Sequence, residues 1–395
     1  MSRLYPPGQL WLYRTKPKED ELFSSWLVRL AAGQAVKLQY LCVSVLGRPP
    51  GYLGYDIDRS PDPEVLDQLC LSTGTPPQRA LETFISTYEG ALWPTYRPTG
   101  VLPWVLPNYR RGRRRIQHGM QYCPTCLSDD PEPYYRREWR LAFNVVCVRH
   151  REYLRDGCFA CGAPVEFHAS DFRVRLLPFE CANTTCVRCG ANLRDAHLIR
   201  PFKPPGEALV SFQQRLSSAL KYGWSPELPG GEVRSFLHFH GLRQIVRLVA
   251  SKGRGSRLRR QWSAERAEFD FEFDHRRSLP IFEELRHSAR AQIMRVCASL
   301  LEHWPNTFVR KCHELRISSS YVNNYSAEMP NWLFRELRWA LNDLDYAPSD
   351  AERRSVAKYL ATHGLDVNAN SIAILLGTKV RRVRWNRRGP NSKQT

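Results

Sequence analysis

The chain has 395 residues, 43% hydrophobic and 25% charged, which is enough for about two or three domains and excludes a disordered or collagen-like protein. Lysine and arginine number 58 against 39 aspartate and glutamate, so the net charge of +19 predicts a polyanionic partner, nucleic acid or an anionic membrane. No apolar run approaches the roughly 20 residues of a membrane span, and residues 1–17 lack the apolar centre of a signal peptide. We therefore expect a soluble protein of a reducing compartment.

The first predicted section, residues 1–116, is helical. Acidic residues at 19–21 suit the positive end of a helix dipole, and apolar residues recur at helical spacing over 22–31. A glycine-containing turn at 33–36 leads to a second apolar series over 38–46. Two helices joined by such a turn predict a helix-turn-helix, although a plain helical hairpin within a core gives the same pattern.

Two more helices are predicted at 66–71 and 76–88, before a proline-rich extended segment. An arginine-rich run then joins the first section to the second. It predicts contact with phosphate or an acidic partner, because the guanidinium fork matches phosphate and carboxylate oxygens. Its arginines are Arg110, Arg111, Arg113, Arg114 and Arg115.

The second section, 117–200, contains eight of the 12 cysteines. A C-x-x-C pair and, after 20 residues, a C-x-x-H pair form what we name the first ligand set: Cys123, Cys126, Cys147 and His150. Zinc binds four such ligands tetrahedrally, and one backbone turn presents each pair. A disulfide scaffold would spread its cysteines more widely, so the spacing predicts a zinc site.

Two C-x-x-C pairs, each followed by glycine, form the second ligand set: Cys158, Cys161, Cys186 and Cys189. Glycine after the second cysteine suits a metal-binding turn, because the chain there often needs a positive φ. Cys181 could replace Cys186, but the matched pairs favour Cys186. Each set supplies four protein ligands and leaves no position for an activated water, so we predict two structural Zn²⁺ ions.

The third section, 201–395, is predicted to be a helical domain without internal repeats. A basic segment at 251–260 is predicted to be a flexible loop that contacts phosphates. Its arginines are Arg254, Arg257, Arg259 and Arg260. Residues 349–352 are of the types favoured at a helix N-cap, and they predict the start of a helix there. A turn through Gly364 leads to a further predicted helix at 370–376. These two helices are a second helix-turn-helix candidate.

The tail after this candidate motif is basic and contains no acidic residue, which predicts contact with a phosphate backbone. Its predicted contact residues are Lys379, Arg381, Arg382, Arg384, Arg387 and Arg388. The sequence contains no phosphate loop, H-E-x-x-H motif or nucleophile elbow. Acidic residues at 270–274 alternate with apolar ones, as in an exposed strand, so we predict no catalytic residues and no enzyme.

Several motifs around the first ligand set complete a recognisable pattern. They are the opening helix at 21–30, the segment 73–90, the cysteine motif at 122–127, Pro133-Tyr134-Tyr135-Arg136 and Trp139-Arg140-Leu141. Together they resemble the TniQ/TnsD family of transposon target-selection proteins, over about residues 18–195. Beyond that segment our predictions rest on helical pattern and charge.

The resemblance implies an adaptor with no chemistry of its own. Members of this family mark an insertion site, either by binding DNA directly or by docking on an RNA-guided Cascade complex. They then recruit the AAA+ ATPase that brings in the transposase. Members that work with Cascade are homodimers, and this chain has a similar length. The implied partners are DNA or Cascade with its guide RNA, the ATPase and a second copy of the chain, in the bacterial cytoplasm and without a membrane.

Two other classes of protein explain part of the pattern. A zinc-bearing helix-turn-helix transcription regulator fits the charge and the closed ligand sets. It does not explain the long aromatic segment between Cys126 and Cys147, where a compact finger has about 12 residues. A DNA-processing enzyme would require the acidic residues at 270–274 to bind a divalent metal. We therefore favour the adaptor.

Overall fold

The computed structural model describes residues 9–108, 118–168, 181–199, 204–266, 281–323, 329–341 and 348–376. This part of the chain is mainly helical, as predicted. Its α-helices are α1 (Phe23–Gly33), α2 (Leu38–Tyr40), α3 (Pro63–Thr73), α4 (Pro77–Leu81), α5 (Pro124–Asp129), α6 (Glu207–Tyr222), α7 (Ser235–Ala250), α8 (Gly253–Arg266), α9 (His287–Leu301), α10 (Asn306–Glu314), α11 (Ser319–Asn323), α12 (Asn331–Ala340), α13 (Asp350–Thr362) and α14 (Ala369–Leu375). Strands β1 (Val146–Cys147) and β2 (Glu152–Tyr153) pair antiparallel. None of the described helices is long and apolar enough to cross a membrane.

Helix α1 lies in the core of the N-terminal section. Its apolar residues are buried, and Trp26 donates from Nε1 to the carbonyl of Thr15 at 2.9 Å. The chain then turns through Ala35, at a φ of 56°, into α2, which a π-helical turn extends over Leu41–Val45. The two helices predicted here are therefore present. Whether they bind DNA as a helix-turn-helix stays a prediction.

The helix predicted over 76–88 is shorter in the structure. Helix α4 ends at Leu81, and a separate 3-10 turn covers Ile85–Tyr88. The backbone N–H of Ile85 donates to the carbonyl of Asp58 at 2.9 Å. This bond to a distant segment replaces the bond to the carbonyl four residues earlier that a continuous α-helix requires.

The contacts divide the chain into two compact units, Met1–Leu337 and Arg338–Thr395. We name them the first unit and the second unit. The domain boundaries predicted at 116/117 and 200/201 both lie inside the first unit. The division at these two points stays a prediction.

Buried polar contacts between α9 and the central section explain why the first unit continues past residue 200. Arg290, which is 0% exposed, donates from Nη1 to the carbonyl of Ala142 at 2.7 Å and from Nη2 to Oε1 of Gln121 at 3.0 Å. His287 places Nε2 at 2.7 Å from the carbonyl of Val145. A buried guanidinium is costly without such acceptors, so α9 and the central section share one core.

Residues 253–260 of the basic segment belong to helix α8, so the prediction of a flexible loop is wrong. Leu258 is buried in the core. The guanidinium of Arg259 is also buried, and it donates to the carbonyl of Ser251 at 3.1 Å and to the carbonyl of Val249. These contacts attach α8 to the end of α7 and outweigh the loop propensity of the two glycines.

In the second unit, α13 and α14 form the helix pair that the sequence predicts. Ser349 and Glu352 make a capping box, in which the backbone N–H of Ser349 donates to Glu352 Oε2 at 2.7 Å. Gly364 has a φ of 67° in the turn, and Asn368 caps α14 by accepting the backbone N–H of Ser371 at 2.9 Å. The two helices are confirmed, and their contact with DNA stays a prediction.

Candidate metal centres

The first ligand set lies where helix α5 meets the β1–β2 hairpin. Cys123 caps α5, because its sulfur accepts the backbone N–H of Cys126 at 3.2 Å. In the hairpin turn, the backbone N–H of Arg151 donates to the carbonyl of Cys147 at 2.8 Å. This bond closes the turn that presents His150. The structure therefore brings together the four residues that the spacing predicted.

The four ligand atoms are close enough to bind one ion, since all lie within 4.8 Å of one another. The sulfurs of Cys126 and Cys147 are 3.7 Å apart, and His150 Nδ1 lies 3.2 Å from the sulfur of Cys123 and 3.3 Å from that of Cys126. Two sulfurs bound tetrahedrally to zinc at about 2.3 Å are about 3.8 Å apart, whereas a disulfide requires about 2.05 Å. The spacing fits a metal ion and does not fit a disulfide.

Burial makes the first ligand set costly in the absence of a cation. Cys123 is 0% exposed and Cys126 is 2% exposed. Burial raises the pKa of the Cys123 thiol, whereas hydrogen bonds with the Cys123 and Cys126 side chains lower the pKa of Cys147 to about 2. A divalent cation deprotonates the thiols that it binds and stabilises the buried thiolates that result. The residues present therefore fit a zinc ion.

Two matching turns form the second ligand set. The backbone N–H of Cys158 donates to the carbonyl of Ala163, and that of Cys186 to the carbonyl of Ala191, each at 2.8 Å. The glycine that follows the second cysteine of each pair has a positive φ, 67° in one turn and 78° in the other. A side chain at either position would strain the backbone, as the sequence predicted.

The sulfurs of the second ligand set are spaced like those of the first. Cys158 and Cys189 are 3.7 Å apart, Cys161 and Cys186 are 3.8 Å apart, and all four sulfurs lie within 4.8 Å of one another. Cys181, which the sequence left as an alternative to Cys186, lies outside this group. The second set is open to solvent on one side, because Cys189 is exposed.

Two tandem groups of residues can therefore bind metal ions. The first group offers three sulfurs and one nitrogen, and the second offers four sulfurs. Soft thiolates combined with imidazole in tetrahedral arrangement are typical of zinc sites. Each group is complete with four protein ligands.

The N-terminal and central sections contain the domain that the motifs predicted. Residues 12–154 match the TniQ family model. The chain carries a TniQ family domain. This TniQ domain begins before α1 and ends just after the β1–β2 hairpin, so it contains the whole first ligand set, whereas the second set follows it along the chain. The match connects the chain with transposon target selection and DNA interaction. A comparison with curated proteins finds no match.

Four of the predicted phosphate contacts lie on α8, in the described part of the chain. Arg257 and Arg260 are exposed, and Arg254 is half-buried with its guanidinium 4.9 Å from the centroid of the Tyr321 ring. These three arginines follow one another at three-residue intervals and lie along one side of the helix. We name them the α8 arginines. Arg259 is buried against α7, so we leave it out of the proposed contact surface.

The remaining predicted contacts, at 110–115 and 379–388, lie outside the described residues. The acidic residues at 270–274 also lie outside them. Predictions for these three segments therefore rest on the sequence alone.

Sequence reasoning missed the acidic side chains beside the first ligand set. Asp129 Oδ2 lies 3.1 Å from His150 Nε2, and Glu152 Oε1 lies 2.7 Å from the sulfur of Cys123. A signal for Asp129 exists, since it follows Cys126 by three residues and so lies on the same side of α5. The position of Glu152 requires the strand register, which pairs it with Cys147.

Proposed function

We propose that this chain is a target-selection adaptor of a DNA transposon. It binds the target site, either as DNA or through an RNA-guided Cascade complex, and recruits the AAA+ ATPase of transposition. The TniQ domain at 12–154 is the observation that supports this function most directly. In this proposal the chain acts as a homodimer and has no catalytic residues. The TniQ domain favours the adaptor over a transcription regulator of another zinc-bearing class.

Both ligand sets hold structural zinc in this proposal. The first zinc joins α5 to the β1–β2 hairpin inside the TniQ domain, and the second joins the two turns that follow the domain. Because each ion has four protein ligands, neither has a free position at which to activate water. The bound zinc contributes folding free energy, since the unfolded chain has no preformed site.

Elemental analysis of the purified chain is expected to return about two zinc ions per chain, one for each tetrahedral set. The control is the variant Cys181→Ser, which removes a cysteine outside both sets and is expected to keep the same metal content. A metal content near zero in a chain with an intact helical circular dichroism spectrum would refute the structural zinc proposal.

The α8 arginines supply part of the surface for nucleic acid. Arg257 and Arg260 are exposed, and the contact of Arg254 with Tyr321 restricts its side chain before any ligand binds. Guanidinium groups in a row neutralise successive phosphates and release counterions, which gives binding that depends on charge and not on base sequence. The +19 net charge of the chain supports the same partner.

Purified chain incubated with duplex DNA, Mg²⁺ and ATP is expected neither to cut DNA nor to hydrolyse ATP. Adding the AAA+ ATPase of the transposition system is expected to give an assembly that retains target DNA in size-exclusion chromatography. The control variant carries Asp270→Asn, Glu272→Gln and Asp274→Asn, and it is expected to behave like the unmodified chain. Metal-dependent cleavage that this variant loses would establish an enzyme, and DNA binding without association with the ATPase would favour a transcription regulator.

A further inference from the structure

An acidic side chain contacts the histidine of the first ligand set from outside. His150 turns Nδ1 toward the three sulfurs and Nε2 toward Asp129, whose Oδ2 is 3.1 Å away. With Nε2 carrying the proton and donating it to this carboxylate, Nδ1 keeps its lone pair for a metal. The contact also fixes the rotation of the imidazole ring. Asp129 is the last residue of α5, the helix that Cys123 caps.

This carboxylate contact gives Asp129 a role at the first ligand set. A metal-binding histidine that donates its other ring N–H to a carboxylate is held in one tautomer and one ring orientation. We propose that Asp129 sets the metal affinity of the first ligand set by orienting His150.

The test for Asp129 uses the full-length, zinc-loaded chain and a competing chelator, and it rests on the structural zinc proposed above. Asp129→Ala is expected to weaken binding of one zinc equivalent by about 10- to 100-fold, while the second equivalent keeps its affinity. Asp129→Asn retains an oxygen acceptor and is expected to restore part of the loss. Asp195→Asn, an exposed aspartate on the neighbouring 3-10 helix, is the matched control and is expected to leave both affinities unchanged.

Wild-type zinc affinity in Asp129→Ala, or equal weakening of both zinc equivalents, would overturn the inference, whereas a wild-type chain without zinc would instead overturn the structural zinc proposal.

Discussion

Replacing Cys147 with serine is expected to leave little folded chain. Structural zinc contributes about 10–16 kcal/mol in small zinc-binding peptides, whereas a whole domain is stable by only about 5–15 kcal/mol. A site with three ligands loses most of that contribution. The first ligand set connects α5 to the β1–β2 hairpin, and the carbonyl of Val145, next to β1, accepts a hydrogen bond from His287 of α9. Loss of the first zinc is therefore expected to disrupt the first unit well beyond its four ligands, as measured by circular dichroism and soluble yield.

The matched control for Cys147→Ser is Cys297→Ser, because Cys297 is 0% exposed on α9 and belongs to neither ligand set. This control also buries a hydroxyl, but it removes no metal ligand. Burying the hydroxyl costs about 1–3 kcal/mol of folding free energy. The control is expected to fold and to keep both zinc ions. Equal destabilisation in the two variants would show that Cys147 acts through packing alone.

Cys189→Ser is expected to have a smaller effect than Cys147→Ser. Cys189 is exposed, and the second ligand set follows the TniQ domain along the chain. Contacts other than the zinc also hold this region on the TniQ domain: Asn183 donates to the carbonyl of Pro133 at 3.1 Å, and Arg194 donates to that of Leu127 at 2.9 Å. The variant is expected to lose one zinc ion and keep its helical content. Complete unfolding would show that the two sets stabilise the chain equally.

The ligand sets could be predicted because their geometry is local. A C-x-x-C or C-x-x-H pair presents two ligands from one turn, so the spacing in the sequence largely determines the site. The only long-range choice was which pairs meet. The sequence left Cys181 open against Cys186, and the structure decides for Cys186 because the turn that ends in Gly190 repeats the turn that ends in Gly162.

The environment of the first ligand set could not be predicted, because it depends on contacts between distant segments. Glu152 reaches Cys123 only through the β1–β2 register. The buried contacts of Arg290 with Ala142 and Gln121 join segments that are about 150 to 170 residues apart along the chain. No local sequence pattern predicts such contacts.

Helix α8 shows how a local pattern can mislead. Glycine and arginine at 251–260 favour a flexible basic loop, because glycine lowers helix propensity. Leu258 and the guanidinium of Arg259 are buried, and this tertiary contact decides the conformation. The difference changes the prediction for function, since a helix holds its exposed arginines in a fixed row and a loop does not.

Neutralising the α8 arginines is expected to weaken duplex DNA binding and to flatten its salt dependence. The variant Arg254→Gln, Arg257→Gln, Arg260→Gln removes up to three phosphate contacts. Each contact contributes about 0.9 to the slope of log affinity against log salt, so the slope is expected to fall by about 2.7. Fluorescence anisotropy with one duplex over a range of salt concentrations measures both quantities. Because phosphates carry no sequence information, the loss is expected to be similar for unrelated duplexes.

A charge-matched variant separates contact from general electrostatics. Arg97, Arg149 and Arg188 are exposed and lie on other segments, and replacing all three with glutamine lowers the net charge by the same amount. Salt screens charges that lie beyond about 8–10 Å from a phosphate, so this variant is expected to keep the wild-type slope and most of the affinity. If the slope of log affinity against log salt falls equally in both variants, α8 makes no specific contact with DNA. If the slope falls in neither variant, the DNA contacts of this chain lie elsewhere.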